Sequence, residues 1–268
     1  MSQKTLQVTK DRGVVNVVID NPPVNVLSLP MMSELMTLLA SLRRDEDARV
    51  VVFESLDPEF FLAHVDFTLV DEENADVGGI DGLNVFQALN EALRTLPQLT
   101  IVKLTGMARG GGAEFVVAAD LSFAATGTAG LGQIEAVGGI VPGGGGTQYL
   151  LNRVGRNRAL EIVLGGDLFD AQTAERYGWI NRALPADEID AFVERIARNI
   201  ADLPEGTIAA VKKALPPSDL SAGMRVEHEA WASQFVKPQA EKLIRAGLAA
   251  GVQTREGERR LEELMRSL

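Results

Sequence analysis

Two glutamates, Glu114 and Glu135, each lie within a few residues of a cluster of glycines, and this pairing constrains the chain more than any other feature. Glu114 follows Gly110, Gly111 and Gly112, while Glu135 precedes Gly138, Gly139 and the run Gly143 to Gly146. A glycine triplet ahead of an apolar helix leaves backbone N–H groups bare to an approaching group, and the helix N-terminus adds partial positive charge suited to an oxyanion. Such a site stabilises negative charge that appears during a reaction. Glycine runs on their own are common in loops, so the reading depends on what surrounds them.

The rest of the composition narrows the chemistry. The 268 residues, 46% of them hydrophobic, are enough to bury a closed pocket. There is no cysteine, which excludes disulfides and thiolate metal sites, and with His64 and His228 as the only histidines no metal site is expected. Catalysis must then rest on carboxylates, hydroxyls or backbone. A net charge of −11 argues against nucleic acid or an anionic membrane as a partner, because phosphate contacts need clustered Lys and Arg. The opening MSQKTLQVTK lacks the apolar stretch of a secretory signal, and no apolar run approaches the ~20 residues that span a bilayer. A cytoplasmic protein is the expectation.

Along the chain, Thr5 to Lys10 and Val14 to Asp20 are rich in β-branched residues and flank Asp11-Arg12-Gly13, which predicts a hairpin. Ser28 is placed to cap a helix in which Met32, Leu35, Met36, Leu39 and Leu42 recur at helical spacing. Strands are predicted at Arg49 to Glu54, Thr100 to Leu104 and Leu121 to Ala125, with a helix at Leu83 to Leu96 and another bearing Glu114. The acidic stretch Asp71 to Asp81 reads as a surface loop bordering the pocket. Strands alternating with helices argue for α/β architecture with function at the strand-to-helix turns. From Thr147 onward the signals turn helical. Thr147 and Asp170 are candidate caps, and Gly155, Gly165 and Gly178 are candidate helix ends. Trp179 to Leu184 could be a short strand, Asp187 to Leu203 an amphipathic helix, and Glu256 to Arg266 the last helix. No internal repeat is evident.

Four segments in order, NPPVNVLS (21–28), FFLAHVD (60–66), GMARGGGAEFVVAAD (106–120) and GQIEAVGGIVPGGGGTQYL (132–150), make the chain resemble the enoyl-CoA hydratase/isomerase (crotonase) family. The resemblance implies a spiral of strand-strand-helix turns, with a catalytic core over 1–203 and a C-terminal helical region over 204–268 used in forming a homotrimer or a dimer of trimers. It implies an acyl-CoA thioester as substrate, coenzyme A entering only as part of it, with no further cofactor. The thioester oxygen would sit between the backbone N–H groups of Val65 and Gly111. Glu114 and Glu135 fall on the family's two glutamate positions, which implies a water held over C3, Glu114 taking its proton and Glu135 delivering one to C2. By the same likeness Val24, Val26, Ala63, Asp66 and Phe67 line the substrate. Thr68, Gly110, Ile134, Gly138 and Gly139 complete that set.

The chain also departs from the family. Where the usual pattern is Ala-Gly-Ala-Asp it has Ala63-His64-Val65-Asp66, and His64 is expected only to pack or to bond nearby backbone, so that a glycine in its place should leave substantial activity. Val24 stands where a basic residue near the CoA phosphates is common, and the family's C-terminal Phe and Glu-Lys-Arg pattern is not recognisable around Phe235 to Pro238. Because both acids are present, hydration of a trans-2-enoyl-CoA is the first reading. Other enolate chemistry on acyl-CoA (double-bond isomerisation, hydrolysis, carbon-carbon cleavage) and a catalytically silent acyl-CoA-binding subunit remain as alternatives.

Overall fold

The computed structural model describes residues 4–71 and 82–268; most of the acidic stretch read as a surface loop lies outside the described residues. β1 (Leu6–Asp11) and β2 (Val14–Ile19) form the hairpin foreseen from their composition. The two residues between them, Arg12 and Gly13, both have positive φ, 45° and 78°, the geometry of a turn whose twist matches paired strands. Ser28 caps α1 (Leu29–Leu42), which buries Met31, Met32, Leu35, Leu39 and Leu42.

The chain then repeats one unit. β3 (Val50–Ser55) is followed by β4 (Phe60–Leu62) and α2 (Val85–Arg94), and β5 (Leu99–Leu104) by β6 (Met107–Arg109) and α3 (Gly111–Ala118). β7 (Leu121–Ala125) is followed by β8 (Gly130–Gly132) and α4 (Gly146–Val154). The first strand of each unit joins a six-stranded sheet in the order β1-β2-β3-β5-β7 and a later β10; the second joins a four-stranded sheet, β4-β6-β8 and a later β9. Pairing along both runs is parallel, apart from the β1–β2 hairpin and the β8–β9 edge. This is the strand-strand-helix spiral. Its repeat leaves no periodic sequence because β4, β6 and β8 are three residues each, too short for an alternating pattern to register.

The second half is helical, with α5 (Arg156–Gly165), β9 (Leu168–Asp170), α6 (Ala171–Tyr177), β10 (Arg182–Leu184) and α7 (Ile189–Ala201) followed by α8 (Thr207–Ala214) and α9 (Ser221–Phe235). α10 (Pro238–Ala250), α11 (Arg255–Glu258) and α12 (Leu261–Arg266) close the chain. Asp170 caps α6, its carboxylate accepting the Thr173 N–H at 2.6 Å, and Gly178 ends that helix in the left-handed conformation. Four local expectations differ. Gly145, not Thr147, precedes α4, because the Thr147 hydroxyl is engaged by Glu227; the left-handed cap of α5 is Gly166 rather than Gly165. Only Arg182–Leu184 of the Trp179 stretch pairs as strand, Trp179 itself being swallowed by the core. The last helix is two, broken around Arg259 and Arg260. Among the described residues no helix is long and apolar enough to cross a membrane.

All eight residues of α3 are buried, which makes it the axis of the spiral. Phe115 packs edge-on against Phe53 with ring centroids 5.3 Å apart and lies 6.4 Å from the Phe61 ring. It bridges the strands of both sheets to the helix that carries Glu114. We predict that Phe115→Ala lowers unfolding stability by about 3–5 kcal/mol in denaturant titration; a loss below about 1 kcal/mol would show that α3 is not held this way.

Candidate active site

The cavity opens where β4 and β6 deliver the chain into loops and the N-terminus of α3. Val65, Gly110, Gly111, Glu114, Ile134, Glu135, Gly138 and Gly144 share its wall with the side chains of Leu29, Phe86, Ile140, Trp231, Phe235 and Ile244. The lining is apolar apart from His64, Asp66 and the two glutamates.

Glu114 projects from the first turn of α3 and is 2% exposed. Its Oε1 accepts the N–H groups of Gly144 and Gly146, both at 2.9 Å. The approach requires glycine, since a Cβ on Gly144 would collide with the Glu114 carboxylate. The two amides between and beyond go elsewhere: Gly145 N donates to Glu227 Oε1 at 2.6 Å, and Thr147 N to Glu227 Oε2 at 2.8 Å. Glu227 comes from α9 and also accepts from Gln87 at 3.2 Å. Asn90 donates to the Gly144 carbonyl at 2.8 Å, so the glycine loop is pinned from three elements.

Glu135 follows β8. With its NH2 turned toward the carboxylate, the orientation in which neither amide atom faces a like partner, the buried Gln133 donates to both Glu135 oxygens at 2.9 Å. Burial pushes the Glu135 carboxyl up to about 7, aided by the charge of Glu227 and opposed by nearby backbone N–H groups and His64. Burial also raises Glu114 well above its ordinary value, reinforced by Glu135 and Glu227 and opposed by the Gly144 and Gly146 amides. Two close carboxyls in an apolar cavity titrate as a unit, and near neutral pH they share protons that free glutamates would have released.

Val65 and Gly111 are in contact in the cavity wall; a Cβ on Gly111 would lie 2.5 Å from Val65 Cγ2. The bridge between Leu27 and Val65 uses the His64 carbonyl and the Asp66 N–H, leaving the Val65 N–H outside it. Gly111 begins α3, where an N–H has no partner within the helix. Among the described residues neither N–H donates to a protein acceptor.

A sequence profile described as enoyl-CoA hydratase/isomerase matches residues 9–258, nearly the whole chain. The chain belongs to the enoyl-CoA hydratase/isomerase family. Among curated relatives, a mycobacterial protein (Mycobacterium bovis) named as a probable enoyl-CoA hydratase is 29% identical over 260 residues, 95% of this chain and 97% of its own. The human enoyl-CoA hydratase domain-containing protein 2, mitochondrial, is 31% identical over 249 residues, 90% of this chain and 83% of its own. A crystal structure from Streptomyces avermitilis, provisionally described as an enoyl-CoA hydratase, is 58% identical with a TM-score of 0.96, covering 99% of this chain and 98% of that one.

Not every residue suggested by the family likeness reaches the cavity. Asp66, Phe67, Gly110, Ile134 and Gly138 line it. Val24 and Ala63 are fully buried in a small cluster with Phe60, against which Val26 packs, and none of the three lines the cavity. The Thr68 hydroxyl turns back to Asp66 Oδ1 at 2.8 Å, and Gly139 faces Leu243 and Ala240 of α10. Conversely Phe86, Trp231, Phe235 and Ile244 line the cavity from helices distant in sequence. The only trace in the chain is the four-residue spacing of Trp231 and Phe235, whose rings stack at 4.8 Å. Gln133 and Glu227 carry no local signal at all.

The raised carboxyls make stability depend on pH with a definite sign. Glu135 in the folded protein keeps its proton up to about 7 against an ordinary 4.5, so its contribution is fully present below the unfolded value and is lost as pH rises through about 7. Denaturant unfolding at pH values below and above this window should show wild type losing stability with rising pH and Glu135→Gln losing less. An equal loss in both would remove Glu135 as the source.

Proposed function

We propose that the protein is an enoyl-CoA hydratase, adding water reversibly to a trans-2-enoyl-CoA to give a 3-hydroxyacyl-CoA. The observation that carries this reading is the meeting, in one apolar cavity, of the buried Glu114, the half-buried Glu135 and two backbone N–H groups that have no protein acceptor among the described residues. The N–H groups of Val65 and Gly111 receive the thioester oxygen, and charge that develops there on addition to C3 is stabilised by preorganised amides, worth about 3–4 kcal/mol per donor in comparable sites. No metal is required for that step.

Glu114 removes a proton from the water that attacks C3. Burial holds Glu114 well above its ordinary value too, so the reactive form is the one in which the pair's proton sits on Glu135, a distribution favoured by the Gly144 and Gly146 amides that bond Glu114 Oε1. Glu135, whose carboxyl is pushed up to about 7, supplies the proton to C2, and Gln133 orients it. One water adds across the double bond, and the pair ends each turnover with one proton moved from Glu135 to Glu114, which exchange with solvent returns.

The same family membership makes a trimeric assembly part of the proposal. Leu164 on α5, Val211 on α8 with Leu215 just after it, and Val226 on α9 are apolar and 68%, 51%, 74% and 64% exposed, which supports association through the helical side. Light scattering at micromolar concentration should give a trimer or a multiple of three, and a monomer would defeat this part.

The decisive experiment on the reaction uses a panel of enoyl-CoA thioesters with wild type, Glu114→Gln, Glu135→Gln and the double variant. Each single change should reduce kcat by about 10²–10⁴ with little change in binding, and the double should be scarcely worse, because both groups act on one water. If Glu114→Gln keeps near-normal turnover while Glu135→Gln is inactive, one acid suffices and the reaction is a double-bond isomerisation. If the wild type binds the thioesters and converts none, the chain is a binding subunit.

A further inference from the structure

The proposed chemistry leaves one buried ionisable side chain of the cavity wall without a task. His64 is 1% exposed, with Nδ1 2.7 Å from the Val65 carbonyl oxygen and Nε2 2.9 Å from Glu258 Oε1. A carbonyl oxygen can only accept, so Nδ1 carries a hydrogen. One further proton lies between Nε2 and the Glu258 carboxyl, and the surroundings of Glu258 decide where it belongs.

Glu258 Oε1 also accepts the Gln253 N–H at 2.8 Å, and its Oε2 faces Arg109 Nη1 at 3.8 Å, an ion pair without a hydrogen bond. Arg109 is itself fully buried and bonds Glu262 of α12 through Nε at 2.6 Å. Burial pushes Glu258 up, yet His64, the Gln253 amide and Arg109 together hold it below its ordinary value. Burial pushes His64 down, yet Glu258 and the Val65 carbonyl hold it above its own, against the opposing charge of Arg109. The carboxyls of Asp66 and Glu135 share the cavity wall with the ring, and His64 favours the ionised form of Glu135; Phe67, with its ring centroid 4.5 Å away, is uncharged. Every donor around Glu258 favours a carboxylate, which leaves the proton on the imidazole.

The position of the ring gives this charge a consequence. Leu27 donates to the His64 carbonyl, in the peptide that carries the Val65 N–H, and accepts from Asp66 N in the peptide that follows. The His64 side chain takes the Val65 carbonyl, so the Val65–Asp66 peptide that follows the Val65 N–H is tied at both its N–H and its C=O. Gln253 extends the same tie outward, accepting the Phe67 N–H at 2.6 Å. We propose that His64 is a positioning residue: an imidazolium, anchored by Glu258 of α11, that clamps the Val65 peptide and sets a fixed positive charge beside Glu135 and the thioester site.

The kinetic part of this inference rests on the hydratase reading, whereas the protonation part does not, and the test separates them. The chain has two histidines, so its imidazole nitrogen NMR spectrum holds two residues, and His64→Gln assigns one of them. At about pH 8, where a free imidazole with its value near 6.5 is neutral, His64 should show hydrogens on both ring nitrogens. Glu258→Gln should abolish the one on Nε2. A His64 carrying only the Nδ1 hydrogen at that pH overturns the inference whether or not the protein proves to be a hydratase. In the kinetic arm, His64→Gln and Glu258→Gln should each lower hydration kcat at least about tenfold while KM stays within about threefold. Both should also move the pH profile of kcat upward, since Glu135 loses a neighbouring positive charge. Variants that only melt earlier, with wild-type kcat and an unshifted profile, would assign His64 a structural role and overturn the inference.

Discussion

Four consecutive backbone N–H groups, from Gly144 to Thr147, are divided between two buried carboxylates, and the cavity depends on that division. Taking a carboxylate out of water costs on the order of several kcal/mol unless donors replace the lost solvent. Glu114 sits in an apolar cavity where few side chains could serve as donors without blocking the substrate's path. Backbone amides supply them without bulk, and they can be reached only because glycine leaves the approach open. The alternate amides would themselves be buried and unsatisfied if Glu227 did not accept them. A residue of α9 thereby sets the shape of the loop that holds a residue of α3.

The spiral explains why the groups converge. Each unit sends one strand to the large sheet and a three-residue strand to the small one, so β4, β6 and β8 lie side by side and their ends open at one place. Val65 follows β4, Gly111 follows β6 and Glu135 follows β8. Residues separated by dozens of positions meet because parallel neighbours end together. The C-terminal helices then close the cavity from outside, Trp231 and Phe235 packing as a stacked pair on its wall and α11 reaching back to His64.

The parts legible in the sequence are those whose cause is local. The hairpin turn at Arg12-Gly13, the Ser28 cap, the valine-rich strand at 50–55 and the glycine-flanked glutamates each carry their reason within a few residues. The parts that were not legible have causes that lie far along the chain. His64 meets Glu258 at a separation of 194 residues, and Glu227 meets Gly145 at a separation of 82. Thr147 reads as a helix cap only while the carboxylate that claims its hydroxyl is out of view. Val24 and Ala63 read as cavity wall by family position, yet they lie in an apolar cluster with Phe60 that only the packed fold displays. Periodicity identifies which face of a helix is apolar, but not whether that face meets the core or a substrate.

The central claim is that the two glutamates add a water molecule to an activated double bond. It is tested most directly by running the reaction on a trans-2-enoyl-CoA in oxygen-labelled water and weighing the acyl-CoA product. The account predicts a product heavier by one labelled water, with the label at C3 and the thioester intact. A product of unchanged mass with a shifted double bond, or free coenzyme A with the label in a released acid, would contradict it.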